Sequence, residues 1–201
     1  MDTRLVAWAH AASARPGADR QLPRLWLFTD ARRLPDPRPA AARLPRGLAG
    51  VVLRHDGEPG RKTLGRDLAC ICRRRRLALV VAGDARLAAA LGAGVHLRAG
   101  RWPCHVRLPP RRHGGRLITS SAHGPADLRR AARAGAAVAF LSPVFATASH
   151  PGARSLGLSR WVRLARSAGL SVAALGGVDG RRVRGLPVRV CAAIGAIGAL
   201  A

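Results

Sequence analysis

The sequence predicts a single compact (β/α)8 barrel in which one or two helices are reduced. Eight short apolar runs lie along the 201 residues, and their starts are 17 to 34 residues apart, the spacing of a repeated strand–helix unit. Most of these runs are continuous rather than alternating, as in strands that are covered on both faces of a parallel sheet. An open doubly wound sheet is the competing architecture, but neither GxGxxG nor GxxxxGK[ST] occurs in the chain.

The strands follow from the apolar runs in chain order. We expect them at residues 25–29, 48–54, 77–82, 95–98, 116–120, 137–141, 171–175 and 188–193. The interval between the fourth and fifth runs is rich in proline and glycine, so the helix of that unit is expected to be missing.

Helices are expected where apolar spacing and end signals agree. Arg61–Arg75 carries apolar side chains at helical spacing and leaves its arginines to solvent. Asp84 is expected to cap a helix that Gly92 ends. Pro125 is expected to begin the next helix, and Ser159 to cap the one after it.

The domain boundary is placed near residue 24. Residues 1–24 are expected to form a leader packed on the barrel, and residues 25–201 the barrel itself. A secretory signal is the alternative for the leader, because Ala12-Ser13-Ala14 resembles a signal-peptidase site. The segment nevertheless begins with the acidic Asp2 and contains His10, which favours a short packed helix.

Composition excludes several classes of protein. No apolar run reaches the ~18–20 residues that a membrane span needs. The formal net charge is +25, but Lys62 is the only lysine and the arginines are spread evenly, which indicates coding bias rather than a nucleic-acid surface. Aromatic residues make up 3% of the chain, which leaves few platforms for stacking bases. We therefore expect a cytoplasmic protein without a specific nucleic-acid partner, an RNA-associated basic protein being the remaining alternative, and the sequence does not predict its oligomeric state.

Polar and glycine-rich segments follow the later strands, where the chemistry of such a barrel lies. Gly176 and Gly177 follow the seventh strand, and Ile194-Gly195 follows the eighth, so that backbone N–H groups can converge on an anion. The loop at residues 142–153 is long and rich in hydroxyl groups, which suits a phosphate. These segments predict a phosphate site at the mouth of the barrel.

Five sequence segments stand in one order along the chain. They are Leu25-Trp26-Leu27-Phe28-Thr29-Asp30, Gly94-Val95-His96-Leu97, Ser121-Ala122-His123, Ser142-Pro143-Val144-Phe145-x-Thr147-x-Ser149-His150 and Gly176-Gly177. This series resembles the thiamine phosphate synthase and TenI-type thiazole tautomerase superfamily. The resemblance implies a (β/α)8 barrel whose substrates and small-molecule partners are phosphorylated thiamine precursors. The synthase joins a pyrimidine methyl diphosphate to a thiazole phosphate with Mg²⁺, whereas the tautomerase isomerises the thiazole phosphate without metal.

Carried over residue by residue, the resemblance keeps the half of the site that holds the thiazole phosphate. Thr147 and Ser149 match the loop threonines of the family, and His150 stands where the synthase has a lysine. Two further sets match the family's phosphate-binding positions. They are Gly176 and Gly177, and Ile194 with Gly195 in place of an Ile-Ser pair.

The half that holds the pyrimidine diphosphate departs from the family pattern. Of the family's Gln-x-Arg-x-Lys on the second strand only Arg54 remains, and of its Asn-Asp pair only Asp84. The second metal-binding aspartate of the family falls near Arg101. Asp84 alone makes a thin Mg²⁺ site, and Arg54, Arg98 and Arg101 could instead clamp a diphosphate with guanidinium groups.

The leading hypothesis is therefore a thiamine phosphate synthase that condenses the two precursors. The alternatives are a thiazole tautomerase and a barrel that binds thiazole phosphate or thiamine phosphate without catalysis. In the tautomerases the residue that matches His123 transfers the proton; the competing interpretation is that His123 only caps the helix after it. His96 lies inside a strand and is expected to line the barrel rather than to bind a ligand.

Overall fold

In the computed structural model eight parallel strands close into a barrel, and the structure describes residues 1–17, 19, 21–99, 117–147, 152 and 154–201. The strands follow one another around the barrel in chain order, and β8 pairs with β1. They are β1 (Leu25–Phe28), β2 (Ala49–Leu53), β3 (Ala78–Ala82), β4 (Gly94–Leu97), β5 (Ile118–Ala122), β6 (Val138–Leu141), β7 (Ser171–Leu175) and β8 (Cys191–Ala196). The predicted (β/α)8 barrel is confirmed.

Six helices surround the barrel within the described part of the chain. They are α1 (Thr3–Ala14), α2 (Arg38–Arg43), α3 (Arg61–Arg75), α4 (Ala85–Leu91), α5 (Pro125–Arg133) and α6 (Leu158–Arg166). Only short 3₁₀ turns follow β7 and β8, at Arg182–Gly185 and Gly198–Leu200, so the helices of these two units are reduced. The helix that the sequence predicts to be missing belongs to the interval after β4, most of which lies outside the described residues. None of the helices in these ranges is long and apolar enough to span a membrane.

Helix α1 packs on the outside of the barrel beside β8 and β1. It buries Leu5, Trp8, Ala9 and Ala12, and the Trp8 indole donates a hydrogen bond of 3.0 Å to the Leu186 carbonyl. Since only a three-residue turn follows β8, α1 takes the place in the ring that a helix after β8 would take. The first residues of the chain thereby lie close to the mouth of the barrel.

Local signals explain the predicted bounds of two helices: end signals for α4 and apolar spacing for α3. The Asp84 carboxylate accepts a hydrogen bond from the Leu87 backbone N–H at 2.8 Å, and Gly92 ends α4 in the left-handed conformation. In α3, Leu68 and Cys72 are buried against the barrel.

Several predicted boundaries differ from the structure, and three of the differences have a clear physical reason. Strand β8 begins three residues later than expected, because the Pro187 carbonyl accepts from the Val190 and Cys191 N–H groups and forms a turn there. Strand β5 runs on to Ala122, since its pairing with β6 extends to Ala122 and Leu141. Ser159 does not cap α6. The helix begins at Leu158, and Gly157 is its N-cap residue.

The core has two layers, as expected of a closed barrel. Inside the barrel, the Phe28 and Phe140 rings pack edge to face with centroids 4.8 Å apart, and Trp26 contacts Phe140 in the same way at 5.6 Å. Between the barrel and the helices lies a second layer that includes Leu5, Leu68 and Trp161. These layers hold the strand ends rigidly around the mouth.

Candidate active site at the barrel mouth

A cavity of about 510 Å³ opens at the carboxyl ends of the strands, and we call it the mouth cavity. Its walls come from the ends of β1, β2 and β5–β8 and from the two 3₁₀ turns. The residues that line it include Arg33, Arg54, His123, Ser142, Pro143, Ala146, Thr147, Gly176, Gly177, Asp179, Arg182 and Gly195. The position and size of this cavity suit a small phosphorylated ligand.

The loops after β6 and β7 lie against each other on one side of the mouth cavity. The Val144 N–H donates to the Leu175 carbonyl at 2.9 Å, and the Phe145 N–H to the Gly176 carbonyl at 3.1 Å. Gly176 has a φ of 90°, and a Cβ there would lie 2.8 Å from the Pro143 Cα. Glycine at this position therefore permits both the left-handed backbone and the close approach of the two loops.

Most of the predicted phosphate-binding residues that the structure describes meet at this cavity. Thr147, Gly176, Gly177 and Gly195 line it. Ile194 does not line it: the residue lies inside β8, and its side chain belongs to the layer between barrel and helices. Ser149 and His150 lie outside the described residues.

Gly195 also has a packing role that the sequence does not reveal. It lies inside β8, and a Cβ there would come within 2.8 Å of the Phe28 ring. A larger residue at this position would have to displace that ring from the barrel interior.

His123 lines the mouth cavity, and its imidazole contacts the residue that directly follows β6. The ring Nδ1 lies 3.0 Å from the Ser142 carbonyl oxygen. Because a carbonyl oxygen only accepts, Nδ1 carries the proton and donates it, which leaves the lone pair on Nε2. The Asp127 carboxylate accepts from the His123 backbone N–H at 2.8 Å rather than from the ring. The side chain therefore does not cap α5, and the competing interpretation of His123 is not supported.

The mouth cavity carries more positive than negative charge. Among the described residues, three guanidinium groups line it, those of Arg33, Arg54 and Arg182, against the carboxylate of Asp179. Arg33 and Arg182 were not among the predicted site residues. Only tertiary structure separates them from the many other arginines, because their sequence neighbourhoods are equally basic.

Asp30 holds the backbone of Arg33 in place and lies near the Arg54 guanidinium. Its carboxylate accepts from the backbone N–H groups of Arg32 and Arg33 at 3.1 and 3.0 Å, and lies 3.9 Å from Arg54 Nη2. Burial alone would raise the pKa of Asp30, but these bonds and the charges of Arg54 and Arg33 together lower it. The carboxylate therefore stays ionised and holds the β1 loop in place.

Beside the mouth cavity, at the ends of β2, β3 and β4, two arginines and two aspartates form a paired cluster: Asp56, Arg61, Asp84 and Arg98. Asp56 contacts Arg98 and lies 3.2 Å from Arg61 Nη2, while Asp84 Oδ2 lies 3.7 Å from Arg61 Nη1. The Arg61 side chain is only 14% exposed and also donates to the Ala82 carbonyl. The positive and negative charges of this cluster balance.

The paired cluster determines what the diphosphate-side residues can do. Arg98 has Asp56 as its partner, and Arg54 has Asp30 nearby, so neither guanidinium stands apart from a carboxylate. Arg101 lies outside the described residues. Arg61, which occupies the centre of the cluster, was not predicted from the sequence.

The residues at this end do not fit a Mg²⁺ site. One oxygen of Asp84 caps α4, and the other faces the Arg61 guanidinium. Within the described ranges no group of three or more His, Cys, Asp or Glu side chains could hold a metal ion. Magnesium requires several oxygen ligands in octahedral geometry and is repelled by a guanidinium in contact with them. The expected Asp84 metal position is therefore taken by a charged side chain of the protein itself.

His96 lines the barrel, as predicted, and its two ring nitrogens are satisfied there. Nδ1 lies 2.8 Å from the Thr119 hydroxyl and Nε2 2.8 Å from the Ser121 hydroxyl. Burial, together with the charges of Arg54 and Arg98, lowers the pKa of His96 to about 3. The imidazole is thus neutral, and Ser121 is engaged with it beneath the mouth.

Comparison with known proteins supports the resemblance in sequence. Residues 27–199 match the model of the family described as thiamine monophosphate synthase (TMP-TENI). A protein of Aquifex aeolicus (strain VF5) named "Putative thiamine-phosphate synthase 2" is 28% identical over an alignment of 185 residues that covers 89% of this chain and 95% of that protein.

Solved structures with similar folds include proteins with different names and activities. Thiamine phosphate pyrophosphorylase from Pyrococcus furiosus has a TM-score of 0.73 at 23% identity, over 89% of this chain and 87% of that one. The 2-keto-3-deoxy-6-phospho-gluconate aldolase from Zymomonas mobilis has a TM-score of 0.59 at 13% identity, over 88% and 83%. At these identities the structures show the fold alone. The family match, however, spans most of the chain, and the chain belongs to the thiamine monophosphate synthase family.

Proposed function

We propose that the chain is an enzyme of thiamine biosynthesis that binds a thiazole phosphate in the mouth cavity. The carrying observation is the cavity itself, in which Thr147, Gly176 and Gly177 come together beside the guanidinium of Arg182. Hydroxyl and backbone N–H donors with a neighbouring guanidinium are what a phosphate dianion needs. The cavity also leaves room beyond the phosphate for a small ring.

Isomerisation of the bound thiazole by proton transfer is the reaction that the site geometry supports best. The Nδ1–H of His123 is held by the Ser142 carbonyl, and Nε2 keeps the lone pair needed to take a proton. The proton leaves one carbon of the substrate for Nε2 and returns to another as the double bond shifts. Atoms and charges balance within the substrate and the imidazole.

Condensation to thiamine phosphate, the reaction of thiamine phosphate synthases, is the second candidate. It is favoured by the family match and by the name of the Aquifex relative. This reaction would have to place a diphosphate near Arg54 and Arg98, and both guanidinium groups would then exchange their carboxylate partners for phosphate oxygens. Binding the diphosphate would therefore break the existing ion pairs of Arg54 and Arg98. For this reason we rank condensation below isomerisation.

One experiment separates the candidates. The purified protein is incubated in D₂O with thiazole phosphate, alone and with pyrimidine methyl diphosphate and Mg²⁺, while NMR follows deuterium uptake and products. Deuterium uptake and isomerisation with thiazole phosphate alone are the expected result. Thiamine phosphate formed only when both substrates are present would establish the synthase instead. Binding without either reaction would make the chain a non-catalytic binder, and the proposal of an enzyme would fail.

A further inference from the structure

Arg182 connects the two loops that form one wall of the mouth cavity. Its Nη1 donates to the Gly177 carbonyl at 3.0 Å, in the loop after β7, and to the Ala146 carbonyl at 3.2 Å, in the loop after β6. The guanidinium carbon also lies 5.7 Å from the centre of the Phe145 ring. A single side chain thus spans the junction next to Thr147.

The backbone of Arg182 is itself held in place by Asp179. The Asp179 Oδ1 accepts from the backbone N–H groups of Arg181 and Arg182, each at 2.9 Å, and its carbonyl accepts from the Val183 N–H. These bonds anchor the 3₁₀ turn at the end of the β7 loop. The side chain of Arg182 consequently starts from a defined point.

We propose that Arg182 is a positioning residue that locks the loops after β6 and β7 into one anion-binding surface and gives that surface positive charge. Arg182 Nε lies 3.9 Å from Asp179 Oδ2, a long ion pair, and the side chain is 45% exposed and lines the cavity, so its charge still acts on a bound anion. The inference deepens the proposed function, since it concerns the same phosphate position, but it does not depend on which reaction follows.

Arginine suits this role better than lysine. Its planar fork can donate to two carbonyl oxygens while its face rests on the Phe145 ring, and it keeps its charge. A lysine would keep the charge but could not hold the same fixed geometry between two loops. Charge and positioning can therefore be separated by substitution.

The test compares Arg182→Gln and Arg182→Lys with Arg184→Gln, whose arginine is exposed on the same 3₁₀ turn and outside the cavity lining. Calorimetry measures the affinity for inorganic phosphate at low and high salt, and hydrogen exchange follows the segment 144–147. Arg182→Gln is expected to weaken phosphate binding about tenfold to a hundredfold and to flatten its salt dependence. Arg182→Lys should restore the salt dependence but leave exchange in 144–147 faster than in the wild type. Arg184→Gln should change none of these.

Two results would overturn the inference. One is equal phosphate affinity in wild type and Arg182→Gln; the other is full recovery of both affinity and exchange protection in Arg182→Lys, which would leave only a charge effect. If Arg182→Gln fails to fold, the Arg182→Lys comparison alone decides between positioning and charge. Because inorganic phosphate is the probe, a loss of affinity supports the inference even if the protein does not act on thiazole phosphate.

Discussion

At the mouth cavity the described lining residues supply three guanidinium groups and one carboxylate, whereas in the neighbouring paired cluster two arginines and two aspartates lie in contact. Two of the three cavity arginines have a carboxylate at longer range: Arg54 Nη2 lies 3.9 Å from Asp30, and Arg182 Nε lies 3.9 Å from Asp179. Both regions lie at strand ends, and both draw on the same abundant residue. In the cavity positive charge exceeds negative charge; in the cluster the two are equal. Arginines near the mouth are therefore not enough to make an anion site. The number and the distance of their carboxylate partners determine how much positive charge a bound anion meets.

This difference also separates the two substrates of the family's condensation reaction. A monophosphate needs a few donors and a modest positive field, which the cavity supplies. A diphosphate leaving group develops about three negative charges and normally has Mg²⁺ to neutralise them. The paired cluster has no net charge and no fitting metal ligands. We therefore propose a single monophosphorylated substrate.

The largest expected effect is on proton transfer at the cavity. His123→Ala should lower the rate of isomerisation by about 10²–10⁴-fold, because it removes the proposed base. Phosphate affinity should remain close to that of the wild type, since the imidazole is not among the proposed phosphate donors. Kinetics by NMR and calorimetry measure the two quantities separately.

The control for this variant is His10→Ala, which removes an exposed imidazole on α1. It should leave both the rate and the affinity unchanged. Isomerisation at the wild-type rate in His123→Ala would show that the proposed acid–base role is wrong.

The next effect concerns the hydroxyl groups of the loop after β6. Replacing Thr147 and Ser149 together by Ala should weaken binding of thiazole phosphate by a few kcal/mol, since each charge-assisted bond contributes roughly 1.5–3 kcal/mol. The melting temperature should barely change, because surface hydroxyl groups add little to the core. Thr63→Ala, an exposed hydroxyl on α3, is the matched control. Unchanged affinity in the double variant would remove this loop from the site.

A smaller effect is expected on the stability of the fold at acid pH. It comes from His96, which lies beneath the mouth and contributes no charge to either region. Burial, then Arg54 and Arg98, depress its pKa from 6.5 to about 3, so the unfolded chain binds this proton first as pH falls. The stability that the neutral imidazole of His96 gives to the fold is complete above pH 6.5. Below that pH the free energy of unfolding falls by up to about 1.4 kcal/mol per pH unit.

Thermal unfolding between pH 7 and pH 4 measures this contribution of His96. His96→Gln, which can still hydrogen-bond Thr119, should show a shallower decline of melting temperature than the wild type. His10→Gln should retain the wild-type decline. Parallel curves for the wild type and His96→Gln would mean that the buried imidazole does not govern acid stability.

The sequence predicts those features that depend on neighbouring residues. The bounds of α3 and α4 follow from apolar spacing and from the Asp84 and Gly92 end signals, which are local. The start of β8 was misplaced because the apolar residues after Pro187 continue the strand pattern into what is a turn.

The parts of the site that could not be predicted depend on contacts between distant segments. Arg61 meets Asp84 only because the start of α3 lies beside the end of β3, and Arg182 reaches Ala146 only across two loops. In a chain with arginines throughout, neither residue carries a local signal. The resemblance identified the glycines and the Thr147 hydroxyl group that line the cavity, but a family pattern cannot supply residues in which this chain departs from it.

The most direct test of the difference between the two regions is a calorimetric titration of the purified protein with Mg²⁺, inorganic phosphate and diphosphate. We expect phosphate to bind, Mg²⁺ alone to give no saturable heat, and Mg²⁺ to leave the affinity for diphosphate unchanged. This result follows from the paired cluster, where Arg61 already compensates Asp56 and Asp84. Saturable Mg²⁺ binding by the ligand-free protein, or a rise of about tenfold or more in diphosphate affinity with Mg²⁺, would contradict the account.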